Sequence, residues 1–141
     1  MKEDTQRWRY WLPALLLMAI IFATSSLPGK SIPRFTDWDI PVNKGGHALG
    51  YGLLGAAYLF GLTRGSRGGI RHAAVALGLA ILYALTDEFH QLFTPGRGAA
   101  LADVGIDAAG AAGGILVRNA LHGLLPLSWA AARKRRAGQA P

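Results

Sequence analysis

Residues 73–93 read AAVALGLAILYALTDEFHQLF, and their character decides the fold. The first fourteen carry no charge, and the polar group Asp87, Glu88, His90 and Gln91 arrives only near the end. Roughly 20 apolar residues suffice for an α-helix to cross about 30 Å of hydrocarbon. Three further stretches fit the same description: residues 10–27, 44–63 and 101–121. The connectors 28–43, 64–72 and 94–100 are short, and polar or rich in glycine and proline. None of the runs alternates with period two, and all are too long for strands. The expectation is an all-α membrane protein, a four-transmembrane-helix bundle occupying residues 1–121. Residues 122–141 are then an interfacial segment, with Pro126 and Trp129, and a basic cytoplasmic tail.

Composition agrees with that class. Of 141 residues, 51% are hydrophobic and 16% charged, too few charges for an ordinary soluble surface. The net charge of +7 raises the question of nucleic acid. The basic residues are not interleaved with aromatics along a stripe, as a nucleic-acid groove requires, but sit between apolar runs. Nucleic acid is therefore not an expected partner. The absence of cysteine removes disulfides, thiolate metal sites and a thiol nucleophile. Nineteen glycines suit helices that approach closely in a bilayer.

Orientation follows from the basic residues. Lys2, Arg7, Arg9, Arg64, Arg67, Arg71, Arg118, Arg133, Lys134, Arg135 and Arg136 fall on one side of a four-span arrangement, eleven in all. Lys30, Arg34, Lys44 and Arg97, four residues, fall on the other. Both termini are expected in the cytoplasm. Ala23-Thr24-Ser25 has the small residues of a signal-peptide cleavage site, but the preceding apolar run is long for a signal sequence, so the span is read as retained.

Four of the eight acids lie inside spans: Asp87, Glu88, Asp103 and Asp107. Each such group costs roughly 2.5–3.5 kcal/mol to insert. At about 100° per residue, Lys44, His47, Tyr51 and Tyr58 share a face of the second span. Tyr83, Asp87, His90 and Gln91 share one on the third, with Glu88 at its margin. Asp103, Asp107, Gly110, Gly114 and Arg118 form a stripe on the fourth, whose glycines suit close packing. Alternating directions bring the start of span two, the end of span three and the start of span four to the outer face. Ser25 and Ser26 end span one at the same level. Thr94-Pro95-Gly96-Arg97 has the pattern of a type II turn that sets Arg97 over the mouth of the cluster, and arginine suits carboxylate or phosphate recognition.

Three motifs stand in order: Asn43-Lys44-x-x-His47-x-x-x-Tyr51, Asp87-Glu88-x-x-Gln91-x-x-x-Pro95-Gly96-Arg97, and Asp103-x-x-x-Asp107-x-x-Gly110-x-x-Gly113. Together they resemble the VanZ-like family over most of the chain. The resemblance implies a small integral protein of the bacterial cytoplasmic membrane, multi-pass, with a cell-envelope role. The family's namesake is associated with resistance to the glycopeptide antibiotic teicoplanin. The chain departs from the family in having Asn43 where aspartate is commoner and Asp107 where asparagine is commoner.

Two functions rest on these residues. In one, an enzyme acts on an envelope lipid or its anionic headgroup at the extracytoplasmic face. Asp87, Glu88, His47 and Asp103 would supply acid–base chemistry, and Lys44, Tyr51, Gln91, Arg97, Asp107, Ser25 and Ser26 would bind the substrate. In the other, the protein is not catalytic: it binds a lipid or glycopeptide there, or the polar cluster is an ion-pair network that only locks helices together. A carboxylate–histidine set suits Mg, Mn or Zn, but no H-E-x-x-H signature is present. No metal ligands are assigned, and the sequence names no cofactor.

Overall fold

A computed structural model describes residues 4–28 and 39–124, with the side chains of 7–28 and 45–123. A 3-10 helix, Asp4–Tyr10, leads into α1, Leu12–Ser25. Then follow α2, Asp39–Thr63, α3, Ile70–Gln91, and α4, Leu101–Leu124. The described residues contain no strand.

Helix limits differ from the apolar limits because a helix does not stop where hydrophobicity does. α2 starts at Asp39 rather than Lys44, with Pro41 in its first turn, where a missing N–H removes no intrahelical bond. α3 starts at Ile70 after the extended Gly69, so it takes in Arg71 and His72. α4 continues beyond residue 121 to Leu124. The remainder of the expected interfacial segment and tail, from residue 125, lies outside the described residues, as do Lys2, Lys30 and Arg34.

α2 and α4 run parallel and share the most extensive interface, made by backbone on backbone. A Cβ on Gly110 would run into the Ala48 carbonyl, and one on Gly114 into that of Gly52. In return, a Cβ on Gly55 would stand 2.6 Å from the Ala111 carbonyl oxygen. These glycines let two helix backbones touch, as the stripe on span four predicts. Gly113, one residue from Gly114, has nothing within 4 Å of its Cβ position and faces away. α3 packs against both α2 and α4, while α1 lies against α2 and α3.

The interior is small and polar, and the exterior is large and apolar. Ala14, Ala76, Ala80, Ala84 and Ala111 are buried together with Tyr51, Leu54 and Leu59. Leu15, Leu16, Leu82, Phe89, Phe93 and Leu116 are each more than half exposed. Water-soluble folds place such side chains inside. Among the described residues α3 is the one helix long and apolar enough to cross a membrane, and α1 is apolar but shorter. Glycines, tyrosines and His47 dilute α2, and Asp103, Asp107 and Arg118 interrupt α4.

Candidate functional site

α1 and α3 finish where α2 and α4 begin, so four helix ends meet at one level. The side chains gathered there divide into a satisfied half and an unsatisfied half.

The satisfied half joins α1 to α3. Ser25, fully buried, donates from Oγ to Asp87 Oδ2 at 2.8 Å, and Gln91 Nε2 donates to the same oxygen at 3.2 Å. Ser26 Oγ and His90 Nε2 share a hydrogen bond of 3.1 Å, with the imidazole lying against Phe22 at 4.6 Å between ring centres. The Pro-Gly turn is present: Arg97 N donates to Thr94 O at 3.1 Å, and Gly96 takes the positive φ of 76° that a type II turn requires. The Arg97 guanidinium, expected over the mouth of the cluster, reaches instead to the end of α1. Its Nε donates to Leu27 O at 3.0 Å and its Nη2 to Thr24 O at 3.2 Å. Carbonyls at a helix C-terminus lack intrahelical donors, and a planar fork can serve two of them at once.

Glu88 does comparable work for α4. Its Oε2 accepts from the backbone N–H of Ala100, just before the helix, at 2.8 Å. Ala100 has no side-chain oxygen to cap its own helix, so a carboxylate from α3 bonds the chain there, at the positive end of the helix dipole. Asp103, half-buried in the first turn of α4, lies close enough to Glu88 and Asp107 for their charges to interact.

The unsatisfied half lies between α2, α3 and α4. Tyr51 is 0% exposed, Asp107 1% and Asp87 3%. The Tyr51 hydroxyl, both Asp107 oxygens and Asp87 Oδ1 have no hydrogen-bond partner among the described residues. Buried polar atoms of folded proteins are nearly always bonded, so four together call for an explanation. His47 Nδ1 stands 3.8 Å from Asp107 Oδ1, within ion-pair reach but beyond a hydrogen bond, and the histidine side chain is 31% exposed. Its ring stacks on Tyr51 at 6.5 Å, and Tyr51 in turn meets Tyr83 at 6.2 Å. Tyr83 is anchored by a 2.6 Å bond from its hydroxyl to Met18 O. The charges of Asp87, Asp107 and Glu88 all bear on the Tyr51 hydroxyl. Lys44 belongs to the first turns of α2, and its side chain lies outside the described residues. Tyr58, on the same helix, packs on Trp11 away from this cluster.

At the opposite end lies a second polar group, of which the sequence pattern marks only Arg118, the last residue of the stripe on span four. Arg118 Nη2 donates to Thr63 Oγ1 at 3.1 Å and to Ser66 O at 3.0 Å. Asn119 pairs with Gly68 both ways, accepting from its N–H at 3.1 Å and donating to its carbonyl at 3.2 Å. His122 Nε2 lies 2.9 Å from Gly65 O. These three side chains of α4 hold the α2–α3 connector, which reverses through positive φ at Arg64 and Gly65. His122, the first residue of the expected interfacial segment, is part of that clamp. The available signal was the run Arg118-Asn119-x-x-His122 on an otherwise apolar helix end.

Among the described residues no three His, Asp or Glu side chains are arranged to hold a metal ion. A family model described as VanZ/LLP1 matches residues 10–122, which takes in α1, α2, α3 and nearly all of α4. No curated protein and no solved structure matches the chain.

Proposed function

Because this chain belongs to the VanZ/LLP1 family, we propose that it is a four-span protein of the bacterial cytoplasmic membrane that binds a cell-envelope lipid or glycopeptide. The binding end is the one formed by His47, Tyr51 and Asp107, and it faces the extracytoplasmic side. Membrane insertion is supported by the outward leucines and phenylalanines and by an interior of alanine, glycine and buried polar groups. Sidedness rests on the eleven-to-four distribution of basic residues.

The observation that carries the binding reading is the set of buried oxygens on Tyr51, Asp87 and Asp107 that have no partner among the described residues, beside the part-exposed His47. Four such oxygens at one end exceed what a lock between helices needs, whereas a ligand site uses them; the clamp at the other end leaves one such atom, Arg118 Nη1. The structural-lock reading fits the other half, where Ser25, Gln91 and Arg97 tie α1 to α3 and its following turn. On this reading Asp87 serves both halves, one oxygen in each. Glu88 positions the start of α4, and His47 with Asp107 is the pair placed to exchange a proton with a ligand.

Expression in a teicoplanin-susceptible bacterium tests the proposal. The wild-type chain is expected to change susceptibility to the glycopeptide, and Asp107→Asn and Tyr51→Phe, at equal membrane levels, to abolish the change. Susceptibility identical in wild type, both variants and the empty vector would contradict it.

A further inference from the structure

Resting on the reading of this end as a ligand site, we infer that the group it takes is a primary ammonium, carried by a lipid headgroup or by a glycopeptide amine. Tyr51 on α2, Asp87 on α3 and Asp107 on α4 each present buried oxygen with no partner among the described residues. In their ionised forms these carboxylates only accept, and what completes them then is a donor. Of the described donors nearby, Ser25 and Gln91 are engaged on the other oxygen of Asp87, Ala100 N on Glu88 and Arg97 on the α1 carbonyls; His47, 3.8 Å from Asp107, is not, and the Lys44 side chain lies outside the described residues.

Tyr51 adds an observation independent of the acids. A phenol is neutral and carries both a donor and acceptor capacity, yet this one is fully buried amid carboxylate charge with no bond among the described residues. A primary ammonium has three N–H groups directed apart, one for an oxygen from each of the three helices, and its charge offsets that of the buried acids. A phosphate brings only acceptors and negative charge to the same oxygens. A quaternary ammonium brings the charge but no N–H. A divalent metal is a poorer fit, since the described His, Asp and Glu side chains form no ligand set. His47, stacked on Tyr51 and 31% exposed, marks the way in.

Native mass spectrometry of the full chain in phosphatidylcholine nanodiscs tests this, with phosphatidylethanolamine, its N-acetylated form or phosphatidylglycerol added. A second arm measures binding of teicoplanin and of teicoplanin acetylated at its amine. The wild type is expected to prefer one free-amine ligand over its acetylated form about tenfold or more, the scale of a charge-assisted hydrogen bond. Preference in the lipid arm identifies a headgroup; preference in the antibiotic arm identifies the glycopeptide. Asp107→Asn and Tyr51→Phe are each expected to abolish it, and thermal melting checks that both fold. Binding that both variants lose but that does not distinguish amine from acetylated amine, or that favours phosphatidylglycerol, overturns the ammonium inference while leaving the ligand site standing. No binding of lipid or glycopeptide that responds to either variant overturns both.

Discussion

His47 on α2 and Asp107 on α4 face each other with Nδ1 and Oδ1 3.8 Å apart, close enough to feel each other's charge and too far to bond. The same two helices touch through glycine only a few residues further along, where Gly110 meets the Ala48 carbonyl and Gly114 that of Gly52.

Gly114→Ala should therefore be costly and Gly113→Ala nearly silent, although the two residues are adjacent. The added methyl at 114 overlaps the Gly52 carbonyl, while at 113 it meets nothing within 4 Å. Overpacking of this kind costs about 1–3 kcal/mol or more. Size-exclusion profiles and thermal melting in detergent would check it; equal tolerance at both positions would mean that α2 and α4 do not meet as described.

Ser25→Ala should lower the melting temperature, because it removes a buried donor to a carboxylate, a bond worth roughly 1.5–3 kcal/mol. Arg97→Lys should also destabilise, since an ammonium cannot span the Thr24 and Leu27 carbonyls as the fork does. Melting curves of the two variants decide. Unchanged stability in both would remove the α1–α3 latch.

Asn119→Ala should loosen the α2–α3 connector by leaving both the N–H and the carbonyl of Gly68 unbonded. Arg64 and Arg67 in that connector are exposed. Trypsin digestion of the solubilised protein should then cut there several-fold faster than in wild type, in line with a loss of about 1–2 kcal/mol of local stability. Cleavage at the wild-type rate would show that the clamp does not hold the loop.

Topology has its own test. Reporter fusions at Arg67 and after residue 124 should report cytoplasm, and fusions at Gly96 the outside. A cytoplasmic signal at Gly96 would reverse the sidedness of the proposed site.

The helices and their inward faces were legible because both depend on local periodicity. The 3.6-residue repeat put Tyr51, Asp87, Gln91, Asp107, Gly110 and Gly114 on the faces where they are found. It placed Glu88 at a margin, whereas the side chain is buried under the start of α4, a contact set by a connector rather than by a helix repeat. Arg97 was read from its turn, correctly as to backbone, but its direction depends on where α1 ends, about 70 residues earlier in the chain. Arg118, Asn119 and His122 were opaque for the same reason: their partners lie more than 50 residues away, and no repeat encodes such pairs.

Among the described residues, this end of the molecule has a bonded half and an unbonded half. The melting temperature of Tyr51→Phe, measured without ligand, addresses that division most directly. Phenylalanine removes only a hydroxyl that has no partner among the described residues, so the variant should melt no lower than wild type, and above it if the buried hydroxyl is a net cost. Ser25→Ala, which cuts a bonded hydroxyl at the same level, supplies the contrast. A fall for Tyr51→Phe as large as that for Ser25→Ala would show that Tyr51 is a structural bond after all, and would contradict the account.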